Sequence, residues 1–85
     1  MRKSAVITGS TSGIGKAVAE ALAESGVNIM LNGFGDAESI EVQRADLEQK
    51  YGITARYNGA DMTKGAEIRA LIEATKTELG SVELS

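Results

Sequence analysis

The sequence predicts an α/β chain in which a parallel sheet of three strands, ordered 3-2-1, is covered by three helices in a three-layer arrangement. Three observations predict it. Short apolar runs alternate with longer stretches of helical periodicity, glycines fall at the junctions, and each connection is long enough to hold a crossover helix that returns the next strand parallel to the last. With 85 residues the chain is confined to one domain. Its 42% hydrophobic and 25% charged content matches globular averages, so neither a disordered nor a fibrous chain is expected.

The elements follow in order. Ser4 to Thr8 is a short, mostly apolar run with β-branched Val6 and Ile7, ending at Gly9, and reads as a buried strand. After a glycine-punctuated loop, Ile14, Ala17, Val18, Ala21 and Leu22 recur at i, i+3, i+4, i+7 and i+8, giving a helix that Gly26 caps. Val27 to Leu31 is a second strand, closed by Asn32-Gly33. Asp36 caps a second helix that runs to about Tyr51 and stops at Gly52. Its apolar stripe is thin, with Ala37, Ile40, Leu47 and Tyr51 on one face and charges elsewhere, as suits an outer helix. Ile53 to Asn58 alternates weakly as a third strand. Ile68, Leu71, Ile72, Thr75 and Leu79 define a third helix, with Thr63 near its start and Gly80 beyond its end. Val82 to Ser85 resembles the opening of a further strand. A parallel sheet normally continues on the far side of its first strand, and here nothing is left to continue it.

Composition excludes several function classes. Without cysteine or histidine there is no disulfide, no thiol nucleophile, no imidazole ligand and no Ser-His or Cys-His couple. A net charge of -3 argues against a duplex nucleic-acid binder. No apolar run approaches a membrane span, and Ala5-Val6-Ile7 is too short for the core of a signal peptide.

The loop Thr8-Gly9-Ser10-Thr11-Ser12-Gly13-Ile14-Gly15 joins a strand to a helix, which makes its glycines informative. A tight turn needs one glycine, a diphosphate approaches main chain only where no Cβ intervenes, and a helix N-terminus offers free N–H groups and a positive dipole end. Gly9, Gly13 and Gly15 meet these needs, while the hydroxyls of Ser10, Thr11 and Ser12 can donate to phosphate or ribose oxygens. An ATPase-type phosphate loop is excluded: counting back from Gly15 puts Ser10 where its first glycine belongs, and Ala17 replaces the magnesium-binding hydroxyl.

The spacing Thr8-Gly9-x-x-x-Gly13-Ile14-Gly15 resembles that of the short-chain dehydrogenase/reductase family, whose fold is of Rossmann type. The likeness continues through Leu31-Asn32-Gly33-Phe34-Gly35-Asp36 and Gly59-Ala60-Asp61-Met62-Thr63-Lys64-Gly65, segments similar to those of the family's bacterial D-3-hydroxybutyrate dehydrogenase branch. The resemblance implies that Gly9, Ser10, Thr11, Ser12, Gly13, Ile14 and Gly15 hold the diphosphate and adenosine ribose. It implies that Asp61 accepts from the adenine amino group and that the Met62 amide donates to the ring. From the residues alone, Asp61 has a second reading, as a residue that helps to start the third helix. NAD-specific members usually end the second strand with an acid that binds the ribose 2′-hydroxyl, but the aligned position here is Gly33, and Asp36 is read as a helix cap. No arginine stands near Gly33 to receive a 2′-phosphate, so the expected cofactor is NAD in preference to NADP. Phe34 is either a wall of the adenine-ribose pocket or ordinary packing.

The family's proton transfer depends on a Tyr-x-x-x-Lys pair, in which the lysine lowers the tyrosine pKa. Four residues after Tyr51 stands Ala55, and four after Tyr57 stands Asp61, so neither tyrosine forms that pair. The Asn-Asn-Ala-Gly segment of the fourth strand is likewise not in the sequence. The expectation is therefore that residues 1–85 are the N-terminal dinucleotide-binding portion of a short-chain dehydrogenase, truncated before the fourth strand, with no catalytic and no metal-binding residue. The parent reaction would be hydride transfer between NAD and a small 3-hydroxy acid. Two other readings stay open, a non-catalytic folding and association module and one half of a split enzyme. The expected setting is cytoplasmic. Expected partners are the dinucleotide and further copies of the chain, joined through the open edge of the first strand or through helix faces, with no nucleic acid and no membrane.

Overall fold

A computed structural model describes residues 2–80 and, as backbone, residues 83–84. The elements run β1 (Ser4–Ile7), α1 (Gly13–Glu24), β2 (Asn28–Leu31), α2 (Ala37–Tyr51), β3 (Ala55–Tyr57), α3 (Gly65–Leu79) and β4 (Glu83–Leu84). All strand pairs are parallel, in the order β3-β2-β1-β4, with Val6 opposite Met30 and Met30 opposite Arg56. The three strands expected from sequence and their 3-2-1 order are therefore present.

Strand alternation divides the core into two layers. Ala5, Ile7, Ile29 and Leu31 point to one face, where Ala19 and Ala23 of α1 and Leu47 of α2 cover them. Val6 and Met30 point to the other, against Leu71 and Leu79 of α3. Both faces of the central strands are thus buried, which is why those strands read as continuous apolar runs. Burying each of the larger aliphatic side chains contributes about 1.5–3 kcal/mol.

The termini of α2 follow the sequence signals. The Asp36 carboxylate accepts from the Ser39 amide at 2.9 Å, and Gly52 closes the helix in the left-handed conformation. Thr63 lies near the start of α3 as expected, but the N-cap is Lys64, without a side-chain bond, and the Thr63 hydroxyl turns back to Asp61.

The apolar stripe of α1 is a second correction. Ile14, Ala17, Val18 and Ala21 all lie on the exposed face, and the helix buries Ala19 and Ala23 instead, with Leu22 partly buried. The cause lies at Gly15, where an added Cβ would stand 2.2 Å from the Gly9 carbonyl oxygen. Contact there fixes the rotation of α1, and the small Ala19 and Ala23 suit so close an approach to the sheet.

The open edge of β1 is a third. Backbone of Glu83–Leu84 pairs with Ala5 and Val6, so a short fourth strand lies within the sequence and occupies the edge on which association had been expected. The Ser4 hydroxyl, donating to the Leu79 carbonyl at 2.8 Å, ties the end of α3 beside the start of β1 and delivers the chain to that position. At the opposite edge, α2 caps β3. Glu48 accepts from the Ala55 amide at 3.0 Å and Arg44 donates to the Ala55 carbonyl at 3.2 Å, filling main-chain groups that an edge strand otherwise offers to another chain. Of the association surfaces expected from sequence, helix faces stay uncovered among the described residues, with Ile14 and Val18 of α1 and Val42 of α2 exposed.

Candidate functional site

The carboxyl ends of β1, β2 and β3 and the start of α1 enclose a cleft of about 440 Å³, a size in the range of small-molecule sites. Thr8, Gly9, Thr11, Ser12, Asn32, Gly33, Phe34 and Ala60 to Thr63 line it. Open parallel sheets place ligands at this end, in the crevice outside the strand termini.

The first wall is the glycine loop. Gly9 and Gly13 take φ of +64° and +57°, the left-handed region that side-chain-bearing residues rarely adopt. An added Cβ at Gly13 would meet nothing within 4 Å, so the space above the helix start is open. The Lys16 amide is the first in α1 to reach an intrahelical acceptor, the Ser12 carbonyl at 3.2 Å, which leaves the N–H groups of Gly13, Ile14 and Gly15 pointing off the end. Glu38 and Glu67 stand in the first turns of α2 and α3, whereas α1 has no acid there, so its positive end is uncompensated by the chain. Together these features suit a diphosphate.

The three hydroxyls of the loop part company. Ser10 is fully buried; its hydroxyl donates to the Asn32 carbonyl at 3.1 Å and accepts from the Asn32 amide at 2.9 Å. The Thr11 hydroxyl donates to the Phe34 carbonyl at 2.8 Å. Ser12, at the N-cap of α1, makes no side-chain capping bond and is exposed. Ser10 and Thr11 thus shape the cleft, and Ser12 keeps its hydroxyl for a ligand. The Ile14 side chain is 85% exposed and is not part of the cleft lining; what it brings to the site is its amide.

The second wall is the end of β2. Gly33 adopts φ of +151°, and an added Cβ there would lie 2.6 Å from the Thr11 hydroxyl. Phe34 lines the cleft and is 80% exposed, a surface that ordinary packing would have covered. Asp36 lies outside this cleft and facing a groove between α1 and α2, where its carboxyl is held below the ordinary value of 3.8, chiefly by the Ser39 amide.

The third wall is the turn after β3. Asp61 accepts from the Thr63 hydroxyl at 2.7 Å and amide at 2.9 Å, which lower its carboxyl below 3.8 and keep it an acceptor. Its amide is taken by Glu67 at 2.9 Å. Among the described residues the Met62 amide has no acceptor in the chain.

Two residues that sequence reasoning passed over organise these walls. Asn32 is buried and donates from Nδ2 to the Asn58 and Ala60 carbonyls, both at 3.0 Å, while its main chain bonds Ser10, so a single residue joins the glycine loop, the end of β2 and the turn after β3. Its signal was present, since a polar residue directly after the apolar run Ile29-Met30-Leu31 needs partners. Gln43, from α2, donates to the Ser10 carbonyl at 2.8 Å. Among the described residues no group of acids could hold a metal ion, and no helix is long and apolar enough to cross a membrane.

Comparison with known proteins agrees with this architecture. The family model for short chain dehydrogenases matches residues 3–84. The chain is 45% identical over 82 residues to a D-beta-hydroxybutyrate dehydrogenase of Cupriavidus necator, covering 96% of the chain and 31% of that protein. It is 42% identical over 84 residues to a D-beta-hydroxybutyrate dehydrogenase of Rhizobium meliloti, covering 99% and 33%. L-sorbose reductase from Gluconobacter frateurii, solved with NADPH and L-sorbose, superposes with a TM-score of 0.85 at 31% identity, over 98% of the chain and 32% of that structure. The chain thus spans about a third of the length of the curated relatives it matches.

Proposed function

The chain belongs to the short chain dehydrogenase family, and on that premise we propose that its 85 residues hold the adenosine and diphosphate part of NAD for an oxidoreductase of small 3-hydroxy acids. The observation that carries this is the bare N-terminus of α1, with three amides and no acid, facing the empty space over Gly13 at the mouth of the cleft. In this reading the amides of Gly13 to Gly15 and the Ser12 hydroxyl hold the diphosphate. Gly9, Thr11, Gly33 and Phe34 border the ribose, Asp61 accepts from the adenine amino group and the Met62 amide donates to the ring. When bound, the nicotinamide end supplies the hydride chemistry. NAD is favoured over NADP because no Lys or Arg lines the cleft, so a 2′-phosphate would find no counter-charge and would share the site with ionised Asp61. Identity of 42–45% to two D-beta-hydroxybutyrate dehydrogenases supports the 3-hydroxy-acid substrate.

Because neither tyrosine is followed four residues later by lysine, these 85 residues alone bind without turning substrate over. The absence of cysteine suits a reducing, cytoplasmic setting, which is part of the same proposal. Titration with ADP-ribose and with its 2′-phosphorylated form tests the site. Saturable binding of the first, weaker binding of the second, loss of both in Gly13→Val, and no NADH formed from 3-hydroxybutyrate are the expected results. No saturable binding at about millimolar ADP-ribose, with Gly13→Val behaving like the parent chain, would refute it.

A further inference from the structure

We infer that Tyr57, a residue outside the cleft, is a positioning residue that sets the ribose-facing edge of the site through the Gly33 carbonyl. The inference rests on the proposed dinucleotide reading and concerns how its second wall is held. Tyr57 ends β3, directly across from Leu31 at the end of β2. Its hydroxyl reaches past the end of β2 and donates to the carbonyl of Gly33, two residues beyond Leu31, at 2.6 Å. Room for the phenol depends on Gly59, where an added Cβ would stand 3.1 Å from the Tyr57 oxygen. From the other side, Thr11 lies against the Gly33 Cα and holds the Phe34 carbonyl at 2.8 Å. The segment Gly33-Phe34 is therefore pinned at consecutive carbonyls, one from β3 and one from the glycine loop.

This pinning matters because the edge of the cleft at Gly33 is bare main chain. An added side chain there would strike Thr11, so the ribose meets a surface whose location is set by the two hydroxyls. Thr11 lines the cleft and would touch ligand itself, whereas Tyr57 does not line it and acts through Gly33 alone. Loss of the Tyr57 hydroxyl should then weaken ligands that carry the adenosine ribose and leave a bare diphosphate unaffected, since the diphosphate sits over α1.

The experiment compares the 85-residue chain with Tyr57→Phe and Gly59→Ala, the second of which keeps the hydroxyl but presses on it. Calorimetric titration uses ADP-ribose and inorganic pyrophosphate, and amide hydrogen exchange of residues 33–35 is followed without ligand. The expected result is about a threefold to tenfold loss of ADP-ribose affinity in both variants, the worth of one hydrogen bond. Pyrophosphate affinity stays unchanged, and exchange at residues 33–35 quickens. A Tyr57→Phe chain that binds ADP-ribose like the parent overturns the inference and leaves the proposed function standing. A parent chain that binds no ADP-ribose overturns both. If Tyr57→Phe does not fold, Gly59→Ala decides: unchanged ADP-ribose affinity and exchange overturn the inference, and the paired changes support it.

Discussion

Replacing Gly15 with alanine tests the link between packing and site most directly. The new methyl would lie 2.2 Å from the Gly9 carbonyl oxygen, 2.7 Å from its carbon and 3.1 Å from the Ser10 Cα, all of them main-chain atoms that cannot swing aside as a side chain can. Restoring ordinary contact moves the start of α1 away from the loop by roughly 1 Å. Overpacking of this kind costs about 1–3 kcal/mol, and the rigidity of the obstacle places Gly15→Ala at the upper end. Alanine returns about 1 kcal/mol through helix propensity, so the net loss is about 2 kcal/mol. With a urea m-value of about 1–2 kcal/mol/M, the midpoint falls by about 1–2 M. The same displacement takes the amides of residues 13–15 out of register with the diphosphate, and ADP-ribose affinity falls by about tenfold or more. Gly52→Ala is the control: it has open space and φ of +69°, and it costs about 1–2 kcal/mol without touching the cleft. Urea unfolding followed by circular dichroism, with titration of ADP-ribose on each chain, reads both effects. If Gly15→Ala is destabilised but binds as the parent does, contact between helix and loop does not set the geometry of the site, and the reasoning fails.

Ser12→Ala should weaken pyrophosphate binding with an unchanged urea midpoint, whereas Ser10→Ala should lose about 1–3 kcal/mol of stability because it strands the Asn32 amide; titration and urea unfolding of the two chains separate the roles. Asn32→Ala frees the half-buried Asn58 carbonyl and the buried Ala60 carbonyl and should cost about 2–4 kcal/mol, with faster hydrogen exchange through residues 58–63. Glu48→Gln weakens the tie to Ala55, Arg44 and Arg56 and should cost about 1–2 kcal/mol by thermal melting. The Glu48 carboxyl is held below its ordinary 4.5, first by the Ala55 amide, so its contribution is present above that value and is lost as pH falls through the lower folded one. Melting temperatures taken from neutral pH down to about pH 3 should therefore drop on the acid side, and less steeply in Glu48→Gln.

How much of this was legible in the sequence varied with the kind of signal. Gly52 after Tyr51 and Asp36 before Ala37 each act on their own helix, and both ends of α2 were readable because nothing beyond the neighbouring turn decides them. The buried face of α1 was not readable. Alanines at 17, 19, 21 and 23 give the helix two apolar faces, and the choice between them is made by Gly15 against Gly9, a tertiary contact that no periodicity contains. Val82 to Ser85 reads as strand-like, with Val82 and Ser85 outside the described residues, but the place of Glu83–Leu84 beside β1 depends on the return of the chain from α3, so two residues close the edge that the sequence leaves open.

The site shows the same division at finer scale. The glycine spacing was legible as a demand of the backbone, because Gly9 and Gly13 take positive φ and Gly15 is in close approach to Gly9. Spacing could not say which hydroxyls remain for a ligand, since Ser10, Thr11 and Ser12 are equivalent on paper and differ only in what lies across from them. Asn32 and the Phe34 carbonyl are those partners, and they occupy Ser10 and Thr11. A cleft that uses its own hydroxyls and its Asn32 amide to join three loops offers a ligand mainly what it cannot satisfy internally: the amides at the start of α1, the Ser12 hydroxyl, the Met62 amide and the second oxygen of Asp61. Two of these groups lie at the helix and two at the turn after β3, with bare main chain at Gly33 between them. That order, anion site, neutral gap, acceptor, matches the order of diphosphate, ribose and adenine in the proposed reading, and it is fixed by the chain's own hydrogen bonds.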